Sequence, residues 1–78
     1  MGVKVLLDSA DKIRDFVDIT NSTPYDIDLI SGKRTYLDAK SLLGVLSCDC
    51  KKPLLLDIHA EKTERIELMT KLEKYVVA

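Results

Sequence analysis

The chain is poor in cysteine, in histidine and in excess charge of either sign, and each shortage narrows what it can be. Its two cysteines, Cys48 and Cys50, are two residues apart. A disulfide between them would be strained, so no disulfide framework is expected, and reduced thiols of a cytoplasmic protein fit best. A C-x-C pair with one distant histidine, His59, is a poor zinc signature. The cysteines therefore read as loop thiols, and no metal or other cofactor is expected. Twelve basic side chains face 13 acidic ones, for a net charge of −1. A nucleic-acid binder would carry a basic stripe, and a membrane surface is disfavoured on the same ground. No apolar run approaches the ~20 residues that span a bilayer. The opening MGVKVLLDS has no small-residue cleavage site and does not read as a secretory signal. Gly2 does not read as a myristoylation site, because Leu6 stands where that motif needs Ser or Thr.

Seventy-eight residues make one domain, spanning 1–78. A chain this short is not expected to enclose a ligand cavity of the usual ~300–1,000 Å³. It offers no nucleophile–base pair, so it reads as a binding or carrier module rather than an enzyme.

The elements follow one another closely. VKVLLD (3–8) alternates as a half-buried strand, with Val3, Val5 and Leu7 inward. Ile13, Phe16, Val17 and Thr20 then fall at helical spacing, with Ser9 or Asp11 available to cap the helix. Asn21-Ser22-Thr23-Pro24 ends it. YDIDLI (25–30) points Tyr25, Ile27 and Leu29 inward, Ser31-Gly32 turns, and residues 34–39 return with Thr35, Leu37 and Ala39 on the core face. A short helix over 41–48 opens on Ser41 and is interrupted by Gly44. PLLLDIH (53–59) is a fourth strand, and residues 61–77 place Ile66, Met69, Leu72 and Val76 on one helical stripe. The class is α+β: a four-stranded antiparallel sheet carrying three helices on one face. Two full helices cover four short strands, so the third, short helix is left at the sheet edge with apolar surface facing outward. On the open sheet face Leu6, Ile30, Tyr36 and Leu55 make a patch suited to a homodimer through that face.

The order β-α-β-β-α-β-α, the stretch KSLLGVLS (40–47) and the hairpin YDIDLISGKRTYLDAKS (25–41) resemble the HPr family. These are small phosphocarriers of the bacterial sugar phosphotransferase system. The resemblance covers nearly the whole chain and implies an open-faced β-sandwich. It makes Ser41 a regulatory phosphorylation site and Leu42, Leu43, Val45 and Leu46 the residues that dock onto a larger partner. That partner would be a phosphotransferase-system component, an HPr-type kinase or a transcriptional regulator, with Lys40 and the Lys33/Arg34 pair near enough in sequence to attract it. Alignment puts the phosphoryl-accepting histidine at about Asp11. The histidine, the proline and the correctly spaced arginine of the family are missing from DKIRD, and Arg14 lies one position from the expected arginine.

The departure points to a histidine-less regulatory protein of the carbon-catabolite type. There the start of the first helix, with Asp11 and Arg14, joins Lys40 and the 41–48 helix in docking onto the partner, and Asp11 supplies a standing negative charge in place of a phosphohistidine. The alternative is a carrier with a non-standard acceptor, Asp11 or His59. By parity His59 falls on the solvated face of the fourth strand. As a plain N-cap, Ser41 contributes about 1 kcal/mol, and capping is compatible with phosphorylation. At Asp8, Asp11 and Asp15, helix capping is the simplest explanation of the charge.

Overall fold

A computed structural model describes residues 3–32, 35–48 and 51–77. The expectations placed on Gly2, Lys33, Arg34 and Cys50 lie outside them. Strand β1 (Val3–Val5) leads to helix α1 (Ala10–Asn21), then to the hairpin of β2 (Ile27–Ser31) and β3 (Thr35–Asp38). Helix α2 (Leu42–Leu46), strand β4 (Leu54–Ile58), helix α3 (Lys62–Leu72) and strand β5 (Val76–Val77) follow. The protein is α+β, with one antiparallel sheet in the order β3-β2-β4-β1-β5 and three α-helices.

The sheet has five strands, which corrects the four read from the sequence. The last two described residues leave the helical path after a 3₁₀ turn at Glu73–Tyr75, and Val76 pairs with Val5 while Val77 pairs with Lys4. The strand expected over 3–8 is correspondingly shorter. Past Val5, Leu6 donates its N–H to the Tyr75 carbonyl at 2.9 Å, and Leu7 is still fully buried.

Val5, Ile27, Leu29, Leu54 and Leu56 project from one face of the sheet into the core, where Ile13, Phe16 and Val17 of α1 and Leu68 and Leu72 of α3 meet them. The α1 stripe falls at the positions its spacing predicts. The stripe expected for α3 holds only in part: Leu72 is fully buried and Met69 packs partly buried against the core, while Ile66 and Val76 are exposed. Leu68, Leu72 and Tyr75 are the buried set, while Ile66 is 55% exposed. Both sets have helical spacing; the buried one carries Tyr75, whose ring meets Phe16 edge-on at 6.4 Å between centroids. An edge-to-face aromatic pair adds about 0.5–1.5 kcal/mol beyond area burial. Thr35, expected inward, is exposed near the start of β3.

Ser9 caps α1 by accepting the Lys12 N–H at 3.2 Å, which leaves none of the three nearby aspartates as the cap. Asp8 pairs with Lys12 Nζ at 2.6 Å. Asp15 accepts a short hydrogen bond from the Tyr75 hydroxyl and pairs with Lys74 at 2.9 Å. The Tyr75 hydrogen bond and then the Lys74 ammonium hold the Asp15 carboxyl below its ordinary value, and the Lys12 hydrogen bond does the same for Asp8. A depressed folded pKa contributes stability that is present above the ordinary value of 3.8 and is lost as pH falls through the folded value. Acid titration of the unfolding midpoint should therefore show a loss beginning near pH 4. That loss should be shallower in Asp15→Asn. An identical acid limb in the variant would show that Asp15 contributes nothing to it.

Candidate functional site

Helix α2 begins where Ser41 Oγ accepts the Gly44 N–H at 3.1 Å. Glycine at 44 makes room for that cap. A Cβ there would stand 3.1 Å from Ser41 Oγ and 3.3 Å from Ser41 Cβ, tighter than an ordinary van der Waals contact. The approach to the helix is fixed from α1. Thr20 Oγ1 donates to the Ala39 carbonyl at 2.7 Å, and Asn21 Nδ2 donates to the Lys40 carbonyl at 2.9 Å. Lys40 Nζ returns to the Thr23 carbonyl at 2.8 Å, so that ammonium closes a loop as well as carrying charge.

Five residues make little more than one turn, and their side chains divide sharply. Val45 is fully buried in the core, and Leu42 is half-buried against it. Leu43 is 80% exposed and Leu46 41% exposed. Of the four apolar residues expected to dock, Val45 is therefore a core residue, and the outward surface is made by Leu43 and Leu46 with the free edge of Leu42. Ser41 is half-buried. Cys48 packs its partly buried side chain against the core.

Asp11 and Arg14 are exposed near the start of α1, whereas the start of α2 is tied to the last turn of α1. Asp11 and Asn21 are ten residues apart along that helix, which is ~15 Å at 1.5 Å per residue. The two halves of the expected partner surface thus attach to opposite ends of one helix.

On the open sheet face, Ile30 lies opposite both Tyr36 and Leu55, so three of the four expected apolar residues form one cross-strand row. Tyr36 is 64% exposed, and Ile30 and Leu55 are half-buried. The adjacent row is acidic: Asp28 lies opposite Asp38 on one side and Asp57 on the other. Asp38 is turned away to accept the Lys40 N–H at 2.9 Å. His59 approaches the remaining two carboxylates, with Nε2 3.0 Å from Asp28 Oδ2 and 3.4 Å from Asp57 Oδ2. The Asp28 hydrogen bond, then the charge of Asp57, raise the imidazole pKa against the opposing effect of burial.

Among the described residues, Asp28, Asp57 and His59 form a group able to hold a metal ion, and Cys48 is not part of it. The sequence hints at this group only through the twin patterns Asp26-Ile27-Asp28 and Asp57-Ile58-His59. Their meeting depends on strand register, which neither pattern states.

An open groove of about 640 Å³ runs between α3 and the sheet, lined by Val3, Leu56, Ile58, Ile66, Met69 and Val76 among others. Its volume lies within the usual range of ligand cavities, but it is open to solvent and not the enclosed cavity that a chain of this length is not expected to form. Leu68 and Leu72 are turned into the core, Met69 is only partly buried against it and Ile66 is exposed, so the space beside them stays open. Among the described residues no helix is long and apolar enough to cross a membrane. No family model, curated protein or solved structure matches this chain.

Proposed function

We propose that this chain is an HPr-like regulatory binding protein without phosphocarrier activity. It docks the outer surface of α2 onto a larger protein partner, and phosphorylation of Ser41 modulates that contact. The observation that carries the reading is Leu43, a leucine 80% exposed beside Leu46 on a helix that Val45 anchors in the core. Exposed apolar side chains grouped on one small element mark contact sites more often than scattered ones do. The sheet with helices on one face and an open second face accords with an open-faced β-sandwich of the HPr type. The stretch KSLLGVLS resembles the family's segment around its regulatory serine, and Ser41 is the residue that matches that serine.

The carrier alternative has less support. A phosphocarrier needs a nucleophile with donors to hold the phosphate. His59 instead has two carboxylates within 3.4 Å, which repel a phosphoryl group. Asp8 and Asp15, which flank Asp11 in sequence, are engaged by Lys12 and by Tyr75 with Lys74.

Intact-mass measurement tests the reading. An HPr-type serine kinase with ATP should add one phosphoryl group, about 80 Da, to the wild type and none to Ser41→Ala. Phosphoenolpyruvate with the general phosphotransferase enzyme should add nothing. Binding to a catabolite regulator of the family's transcription-factor type should fall at least tenfold in Leu43→Asp, which corresponds to about 1.4 kcal/mol. Mass gained from phosphoenolpyruvate would make the chain a carrier. Unchanged binding by Leu43→Asp would remove α2 as the docking surface.

A further inference from the structure

We propose that Asp28, Asp57 and His59 form a binding site for a divalent first-row transition ion of the zinc class, on the sheet face away from the helices. Zinc takes nitrogen and carboxylate oxygen ligands at ~2.0–2.2 Å in a tetrahedral arrangement. Tetrahedral geometry at those bond lengths sets ligand atoms roughly 3.3–3.5 Å from one another. His59 Nε2 lies 3.0 and 3.4 Å from the two carboxylate oxygens, and all three ligand atoms are within 4.8 Å of each other. Two of the three separations thus come close to those of a zinc coordination shell, and the third, between the two carboxylates, is no more than 4.8 Å, a gap that rotation of half-exposed side chains can close. The fourth corner faces solvent, since each side chain is between 35% and 50% exposed.

The backbone holds these positions. Asp28 and Asp57 are direct cross-strand partners in the β2–β4 ladder. His59 extends that ladder by donating its N–H to the Asp26 carbonyl at 3.0 Å, which keeps its side chain on the same face as Asp57, two residues before it. Ligands mounted on paired strands are held more rigidly than ligands on loops.

The donor set selects the ion. Calcium and magnesium prefer all-oxygen shells, whereas an imidazole with two carboxylates suits zinc and its first-row neighbours. Like charges directly opposite each other across two strands are destabilising, and Asp28 and Asp57 are so placed. A dication between them converts that repulsion into attraction, and the proton on Nε2 leaves to solvent as the metal takes its place. This site is independent of α2, so the docking reading can fail without it and the reverse.

Calorimetric titration of the whole chain with Zn²⁺, and absorption spectroscopy with Co²⁺ as the coloured substitute, test the proposal. One equivalent should bind, with tetrahedral cobalt bands. Affinity should fall at least tenfold in His59→Gln and in Asp57→Asn. The double variant Cys48→Ser/Cys50→Ser should bind as the wild type does. Circular dichroism checks that each variant stays folded, which substitution of half-exposed side chains allows. Absence of saturable binding would overturn the site. So would affinity that survives His59→Gln, or affinity lost only with the cysteines.

Discussion

Val45→Asp should remove a third or more of the fold's stability, while Leu43→Asp, two positions earlier in the same helix, should leave the unfolding midpoint almost unmoved. Val45 is 0% exposed. An aspartate there would bury a carboxylate among apolar side chains, at a cost on the order of 4 kcal/mol. A domain of 78 residues has only ~4–12 kcal/mol of stability in total. Leu43 projects into solvent, where substitutions usually stay within about 0.5 kcal/mol. For a domain this small that is a midpoint shift of no more than ~4 °C. Thermal unfolding of both variants followed by circular dichroism separates the two roles. A Val45→Asp as stable as the wild type, or a Leu43→Asp destabilised to the same degree as Val45→Asp, would show that α2 does not divide into a buried anchor and an exposed surface. The contrast also protects the binding test: loss of partner binding in a fully folded Leu43→Asp cannot be blamed on the fold.

This division shows how far a linear reading reaches. Ser41 before an apolar run marks a helix start, and the structure places a cap there with the predicted hydroxyl. The four apolar residues behind it look alike in sequence. Which of them turns inward depends on how α2 seats between α1 and β3, and that is a tertiary fact. The same limit explains α3. Ile66-Met69-Leu72-Val76 and Leu68-Leu72-Tyr75 are both helical stripes, and the second is buried because Tyr75 can reach Phe16 and Asp15. Tyr75-Val76-Val77 does carry a local signal for a strand, being aromatic and β-branched, but the helical period running up to it masks the change. Helix α1 and strands β2 and β4 were legible because their amphipathic pattern has a single solution. The His59 cluster was not, because it lies on the face where polarity is expected and only register brings its members together.

Thr20→Val should lower stability by about 2 kcal/mol, a midpoint drop of ~8–16 °C in a domain of this size. Thr20 is the buried polar residue of α1, 0% exposed. Its hydroxyl lies 3.0 Å from the Val17 carbonyl and 2.7 Å from the Ala39 carbonyl. A hydroxyl has one hydrogen to donate, and the shorter contact, to Ala39, is the one that joins α1 to the start of α2. Valine matches the shape of threonine but leaves the Ala39 carbonyl facing two methyl groups. Thr20→Ser keeps the donor and removes one buried methyl, so its cost should be nearer 1 kcal/mol. Equal losses in the two variants would mean that packing, and not the hydrogen bond, sets the cost. Hydrogen exchange carries the argument to function. Ala39, Lys40 and Ser41 lead directly into α2, so Thr20→Val should speed exchange of the Gly44 and Val45 amides while the Ile58 amide follows global unfolding alone. The docking surface proposed for α2, two leucines on a five-residue helix, has little intrinsic helical stability to draw on. Its order comes from the Thr20 and Asn21 contacts behind it, and weakening them should cost partner affinity even though neither residue touches the partner.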